Sequence, residues 1–305
     1  MQAEFSNDLS ALDQAASDFV RLRPRLFGIA YRMLGASSEA EDIVQETWLR
    51  WQTTDRTVVI DPPAFLATTT TRLAINLAQS ARTRRETYVG PWLPEPIDTS
   101  ADPEAGAERG EALELALLVL LEKLTPTERA AYVLREAFDY PYAQIAEILQ
   151  LTEANTRQLV SRARKHVAAE RREPVNPVDH RRLLEAFLVA AQSGDLAGLE
   201  QLLASDVASI SDGGGVLGAV RVPILGRTRV ATFTAGFASR FWPGTTTTWV
   251  EANGQTGVLV ERSETAVALL TIAASSDGID QILWMMNPAK LDRFVHSIRR
   301  SIEPA

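Results

Sequence analysis

The sequence predicts two all-α domains followed by an α+β domain built on a curved antiparallel sheet. Three observations point there. Residues 125–168 divide into three short helices, each with its own start signal. Residues 87–110 carry four prolines and no regular period. Beyond Pro174, Asn176 and Pro177 the spacing shifts to short strand-like runs, and Asn253-Gly254 and Asp277-Gly278 are hairpin turns between them. The expected division is 1–87, a linker at 88–110, 111–172, and 178–305.

At 305 residues the chain is long enough for two or three separate cores, with ordinary globular contents of hydrophobic (46%) and charged (23%) residues. A net charge of −8 excludes a surface coated with nucleic acid, yet leaves room for a local basic face. The absence of cysteine excludes disulfides, thiolate zinc sites and a cysteine nucleophile. His166, His180 and His296 are too scattered to make a metal site, so neither metal nor cofactor is expected. MQAEFSNDLS has no basic stretch followed by an apolar block, and no apolar run nears the roughly 20 residues that span a bilayer. A soluble, cytosolic chain is expected.

In chain order, residues 11–52 read as helix, with Phe19, Leu22, Leu26, Ile29, Ala30 and Met33 at helical spacing before a break at Gly35–Ser38. Ser37 or Ser38 is expected to cap the next helix. There Ile43, Val44, Thr47, Trp48 and Trp51 turn inward, leaving a ridge of Asp42, Gln45, Glu46, Leu49 and Arg50. By periodicity alone that ridge is a solvated face. Asp61-Pro62-Pro63 opens a third helix after a polar loop at 53–60. From Arg72 to Arg85 it has four arginines (Arg72, Arg82, Arg84, Arg85) and no acid, with Asn76 and Gln79 on the side of Arg72 and Arg82. A nucleic-acid face and an ordinary basic helix end both fit this pattern.

Trp92 and Leu93 are unusually apolar for a spacer, which implies that the linker docks on something. A helix is expected at 111–124. Thr125-Pro126-Thr127-Glu128 is then a capping box opening a helix that runs to about Phe138. A second helix starts near Pro141 with Ile145, Ala146, Ile148 and Leu149 apolar. After Gln150-Leu151-Thr152 a third begins, with Thr152 as N-cap and Thr156, Leu159, Val160 and Ala163 facing inward. Its exposed set is Asn155, Arg157, Gln158, Ser161, Arg162, Arg164, Lys165 and His166. Two helices across a short turn, the second rich in Arg and Gln, form a helix-turn-helix whose side chains suit base edges and phosphates.

The tail reads as helices at 179–192 and 195–203, a strand at 207–211, the turn Asp212-Gly213-Gly214-Gly215, and a strand-like stretch at 216–222. A helix at 229–240 precedes strands at 246–252, 256–262, 265–274 and 279–286. Asn287-Pro288-Ala289-Lys290-Leu291 then leads into a short helix to about Ile302. The glycine run lacks the Lys-Ser/Thr of a phosphate loop, so it is a tight turn or a place of close backbone approach.

DIVQETWLRW and LAINLAQSARTRRE within 20–87, with LTPTERAAYVLRE, YAQIAEIL and SRARK within 113–168, resemble bacterial sigma factors of the extracytoplasmic-function (ECF) group. The tail resembles SnoaL-like domains of the NTF2-like superfamily. YVGPWLPEP, DGGG and NPAKL resemble signatures of sigma factors carrying that extension. The resemblance implies a cytoplasmic factor that binds core RNA polymerase (β′ clamp helices and β subunit) and directs promoter-specific initiation, with residues 1–87 as region 2 and 111–172 as region 4. It places Asp42, Gln45, Glu46 and Arg50 on the polymerase. It places Arg72, Asn76, Gln79, Arg82, Arg84 and Arg85 at the −10 element, and the 53–60 loop on an unstacked base. It places Asn155, Arg157, Gln158, Ser161, Arg162 and Lys165 at the −35 element. Asn155, Gln158 and Leu159 depart from the commoner small, small and basic residues, which leaves the promoter sequence open.

Trp92 and Leu93 are expected to meet Asp212, Gly213, Gly214 and Gly215, with Asn287, Pro288, Lys290 and Leu291 tuning a latch that makes a separate anti-sigma protein unnecessary. A rival reading is a one-component helix-turn-helix regulator whose tail senses a small apolar ligand. A third is a fused enzyme, since ketosteroid-isomerase-like sites use a carboxylate base with Tyr or protonated Asp donors. All five tyrosines precede residue 143. Asp206, Asp212, Glu251 and Glu261 read as surface or turn residues, and Trp242, Trp249 and Trp284 as core. No catalytic residue is expected.

Overall fold

The computed structural model describes residues 2–100, 113–216 and 219–302, leaving aside the side chains of 2–14, 82–84, 86, 301 and 302. It divides into two compact units, Met1–Arg84 with Leu121–His166, and Arg85–Leu120 with Val167–Ala305.

In the first unit, α1 (Gln2–Leu34) and α2 (Ser37–Thr53) pack around Phe19, Leu26, Val44, Trp51 and Leu66. Trp51 Nε1 donates to the Ala15 carbonyl at 3.1 Å, so even its one polar atom is satisfied in the core. Gly35 ends α1 at φ 66°, a conformation that costs glycine nothing. No serine caps α2: Ala36 is the extended N-cap residue and makes no side-chain bond. The one-turn helix Arg56–Val58 follows, and α3 (Pro62–Glu86) is capped by Asp61, whose Oδ1 accepts from Ala64 N at 3.0 Å.

The helix expected at 111–124 is shorter, α4 (Leu115–Leu121), with residues 111–112 outside the described part. The chain leaves helical geometry before Thr125 because that residue must be extended (φ −65°, ψ 153°) to cap α5 (Pro126–Glu136), where both bonds of the capping box are made. α5 stops two residues short of Phe138. Tyr140 N reaches back to the Leu134 carbonyl at 3.0 Å, and Asp139 takes φ 53° to allow it. α6 (Tyr142–Leu149) and α7 (Glu153–Glu170) complete the helix-turn-helix, with Thr152 Oγ1 accepting from Asn155 N.

In the second unit α8 (Pro177–Ser193) and α9 (Leu196–Leu202) lead into β1 (Leu203–Asp212). Then come β2 (Ile224–Leu225), α10 (Arg227–Phe241), β3 (Thr245–Ala252), β4 (Gln255–Arg262), β5 (Thr265–Ser275), β6 (Gly278–Met285) and α11 (Pro288–Ile302). The strand order is β2-β1-β6-β5-β4-β3.

The sheet is mixed rather than wholly antiparallel, because the chain crosses over through α10 and returns along four hairpin-linked strands, β3 to β6, laying β6 parallel to β1. The stretch 216–222 is not a strand in its described residues; only the two-residue β2 pairs with β1. Asn253 and Gly254 both take positive φ, the demand of a two-residue hairpin. Gly278 sits so close to the chain that a Cβ there would lie 2.6 Å from the Leu202 carbonyl oxygen. Leu184, Phe187, Val230, Val260, Leu270 and Ile282 form the core between helices and sheet.

Candidate functional site

All eight polar positions predicted on α7 are exposed, while Thr156, Val160 and Ala163 are buried and Leu159 is half-buried. Its arginines are held by neighbouring acids: Arg157 by Glu153, Arg162 by Glu128 at 3.7 Å, and Arg164 by Glu136 at 2.7 Å. These surface pairs contribute at most about 1 kcal/mol each, so phosphates can displace them. The ridge on α2 is likewise outward, with Asp42, Gln45, Leu49 and Arg50 exposed and Glu46 half-buried against Arg50. Beside it runs a groove floored by Phe19, Val44 and Trp48. In the 53–60 loop, Val58 and Ile60 stand out in solvent.

The basic side of α3 is less simple. Asn76 and Gln79 are exposed, and the side chains of Arg82 and Arg84 lie outside the described residues. Arg72 donates from Nε to the Ile148 carbonyl at 2.9 Å and from Nη2 to the Glu147 carbonyl at 3.1 Å. Those are carbonyls at the C-terminal end of α6, where the helix dipole favours a cation. Arg25 makes a similar contact with the Phe138 carbonyl at 3.1 Å and stacks over Phe138 and Tyr140. Arg129, fully buried, donates to the Arg32 carbonyl at 2.7 Å, and burial pushes its guanidinium down to about 9. Region 20–87 and the helix-turn-helix are thus joined within one unit by arginines on carbonyls. Sequence reasoning missed this, because no local pattern marks which carbonyl an arginine will cap.

Arg85 departs from the expected DNA face and lies over the Trp92 ring, 3.6 Å from its centroid. Trp92 belongs to a buried cluster around Asp212, which is fully buried at 0% exposure. Its carboxylate accepts from Leu93 N (2.9 Å), Tyr88 Oη (2.5 Å), Lys290 Nζ (2.7 Å) and Gly214 N (3.2 Å). Lys290 Nζ also donates to the Leu93 carbonyl at 2.5 Å and sits 4.3 Å from the Trp92 ring centre. Asn287 Nδ2 donates to Tyr88 Oη at 2.8 Å, and Arg293 pairs with Glu95 at 2.5 Å.

Burial, with the Asp212 carboxylate second, pushes the Tyr88 phenol above its ordinary range. Burial pulls the Lys290 ammonium down, and Asp212 opposes that. Gly214 is needed for space as well as for φ 57°, since a Cβ there would lie 2.5 Å from Asn287 Nδ2. Val89 lies beside Gly215, Leu291 is buried, and Pro288 is exposed at the start of α11.

Two sequence readings do not hold, those of Asp212 and Trp249. Asp212 is no surface or turn residue, and its oxygens are taken by four donors, which leaves it unsuited to act as a base. Asp206 and Glu251 are partnered too, by Arg172 and Thr99. Residues 178–305 hold no tyrosine, as read, but the linker brings Tyr88 against Asp212 of the tail. Trp242 and Trp284 pack with Phe241 as expected, but Trp249 lies 37% exposed under Arg181. The linker continues along the sheet, where Ile97 and Asn253 exchange hydrogen bonds and Asp98 bridges Ala252. Tyr88 was overlooked in the sequence; its signal was an aromatic-rich run in a spacer.

Among the described residues no group of three metal-ligating side chains is gathered, and no helix is long and apolar enough to cross a membrane.

Comparison with known proteins agrees with this layout. Residues 19–84 match the family model for Sigma-70 region 2, and residues 114–167 that for Sigma-70, region 4. The chain is 41% identical over 233 residues to "ECF RNA polymerase sigma factor SigJ" of Mycobacterium tuberculosis, covering 75% of this chain and 74% of that one. It is 31% identical over 290 residues to "Probable ECF RNA polymerase sigma factor SigI" of the same organism, covering 93% and 97%. The crystal structure of M. tuberculosis SigJ superposes with a TM-score of 0.74 at 33% identity, covering 91% of this chain and 98% of that one.

Proposed function

Because this chain belongs to the extracytoplasmic-function sigma factors, we propose that its carboxyl-terminal domain regulates it in cis by holding the linker between its two DNA-binding halves. The observation that carries this is the buried Asp212, which binds the linker through Leu93 N and Tyr88 Oη while pairing with Lys290 of the tail. A linker held at its amino-terminal end and paired to β3 at Asp98 cannot lengthen or swing freely. That limits the separation the two halves can reach on a promoter.

In this reading, Asp42, Gln45, Glu46 and Arg50 dock on the polymerase β′ clamp helices. Arg72, Asn76 and Gln79 meet the −10 element, joined by Arg82 and Arg84. Asn155, Arg157, Gln158, Ser161, Arg162 and Lys165 meet the −35 element. The latch residues Trp92, Leu93, Asp212–Gly215, Asn287, Pro288, Lys290 and Leu291 do the work of a separate anti-sigma protein. The factor acts in the cytoplasm and performs no catalysis. A small apolar ligand is not part of this account. The aromatic cavity lined by Phe233, Phe237, Phe241, Trp242 and Trp284 measures about 30 Å³, room for about two waters.

Run-off transcription with core polymerase tests the proposal. Adding the chain should produce promoter-specific transcripts, and deleting residues 178–305 should change the yield of open complexes. Unchanged open-complex formation by the truncated chain would remove the regulatory role.

A further inference from the structure

A cavity of about 160 Å³ opens within the second unit, away from the latch. Its walls are α4, residues 170–175 from the end of α7, α8 at His180, and the sheet at β1, β4, β5 and β6. The first two of these are also the chain's way into and out of the helix-turn-helix. The lining has four carboxylates, Glu114, Glu170, Asp206 and Asp280, against the guanidinia of Arg171 and Arg172. Arg172 is committed to Asp206 and Asp280, and Arg171 meets Glu114 at 3.5 Å. By formal charge the lining is acidic, four carboxylates against two guanidinia.

Two further groups offer acceptors. Gln281 Oε1 is buried without a hydrogen-bond partner, an arrangement that is costly unless something donates to it. His180 is buried and bonded through Nε2 to the Ile272 carbonyl at 3.0 Å; since a carbonyl can only accept, Nε2 donates. Burial holds the imidazole below its ordinary range, so Nδ1 keeps its lone pair. Apart from Gln255, the rest of the lining is apolar, including Leu117, Leu120, Val175 and Ala273.

We propose that this cavity binds a small organic amine, an ammonium group on a short apolar stem, as an effector. The N–H donors meet the amide and imidazole acceptors under the negative lining, and the stem lies along Leu117, Leu120 and Ala273. An occupant touches both tethers of the helix-turn-helix, which couples its binding to the freedom of that half. The inference does not depend on the latch.

Calorimetry on the full chain with n-butylamine, putrescine and butyrate tests it. Saturable amine binding near ~1 mM or tighter is expected, with none for butyrate. Gln281→Leu and the cavity-filling Ala273→Met should each weaken amine binding at least about tenfold, with unchanged circular dichroism showing that they fold. The wild-type comparison of butylamine with butyrate decides the charge preference whether or not a variant folds. Absence of amine binding, equal butyrate binding, or full affinity in both folded variants would overturn the proposal.

Discussion

At the latch, a fully buried carboxylate and a nearly buried ammonium share hydrogen bonds with a backbone N–H and a carbonyl of the linker. At the contact between α3 and α6, Arg72 stays exposed and lends its guanidinium to two carbonyls. The first arrangement is expensive to take apart, because removing either partner strands a charge away from water. The second exchanges readily, because a phosphate or water can replace a carbonyl at an exposed arginine. The difference teaches where the molecule should open. The arginine contacts of the first unit are expected to yield before the linker leaves the tail.

The largest expected effect is at the latch. Lys290→Met should destabilise the second unit by about 3–5 kcal/mol in urea unfolding, and adding Asp212→Asn should recover a good part of the loss. A loss below ~1 kcal/mol in the single variant would place Lys290 among surface pairs and erase the contrast. Trp92→Ala should cost about 1–2 kcal/mol by removing the ring between Arg85 and Lys290, read from the same transition. Among the arginine contacts of the first unit, Arg72→Ala at the α3–α6 contact should change stability by no more than about 1 kcal/mol, yet increase open-complex formation. A drop in both would mean that this contact supports the active form.

The smallest effect is on alkaline stability. Tyr88 is raised from its ordinary value of 10.0 by burial and by Asp212. A raised pKa means the folded state holds its proton longer, so the stabilisation is fully present below that value and is lost as pH climbs above it. The difference in unfolding free energy between the wild-type chain and Tyr88→Phe should be flat up to about pH 9 and shrink above pH 10. A flat difference to about pH 11 would detach Tyr88 from the carboxylate.

The split of α7 into exposed and buried faces was legible because it is written in helical period. Asn155, Gln158, Ser161 and Lys165 are exposed, and Val160 and Ala163 buried, as spacing alone requires. The docking of Trp92-Leu93 near the glycine run was legible as an apolar anomaly. Its chemistry was not, since Leu93 and Asp212 lie 119 residues apart and nothing local announces a buried carboxylate. The parallel β1–β6 pair was hidden for the same reason: Asn253-Gly254 and Asp277-Gly278 report hairpins, and a crossover has no turn of its own. Composition left Arg72 open between a nucleic-acid face and a basic helix end, only the resemblance set it at the −10 element, and neither reveals that its guanidinium already caps α6.

Titration of the purified chain against duplex promoter, with and without core polymerase, tests the account most directly. The predicted result is a promoter-specific complex only in the presence of core enzyme, with no shift of duplex by the chain alone at micromolar concentration. A tight, sequence-specific shift of naked duplex, coupled with failure to join core polymerase, would contradict it.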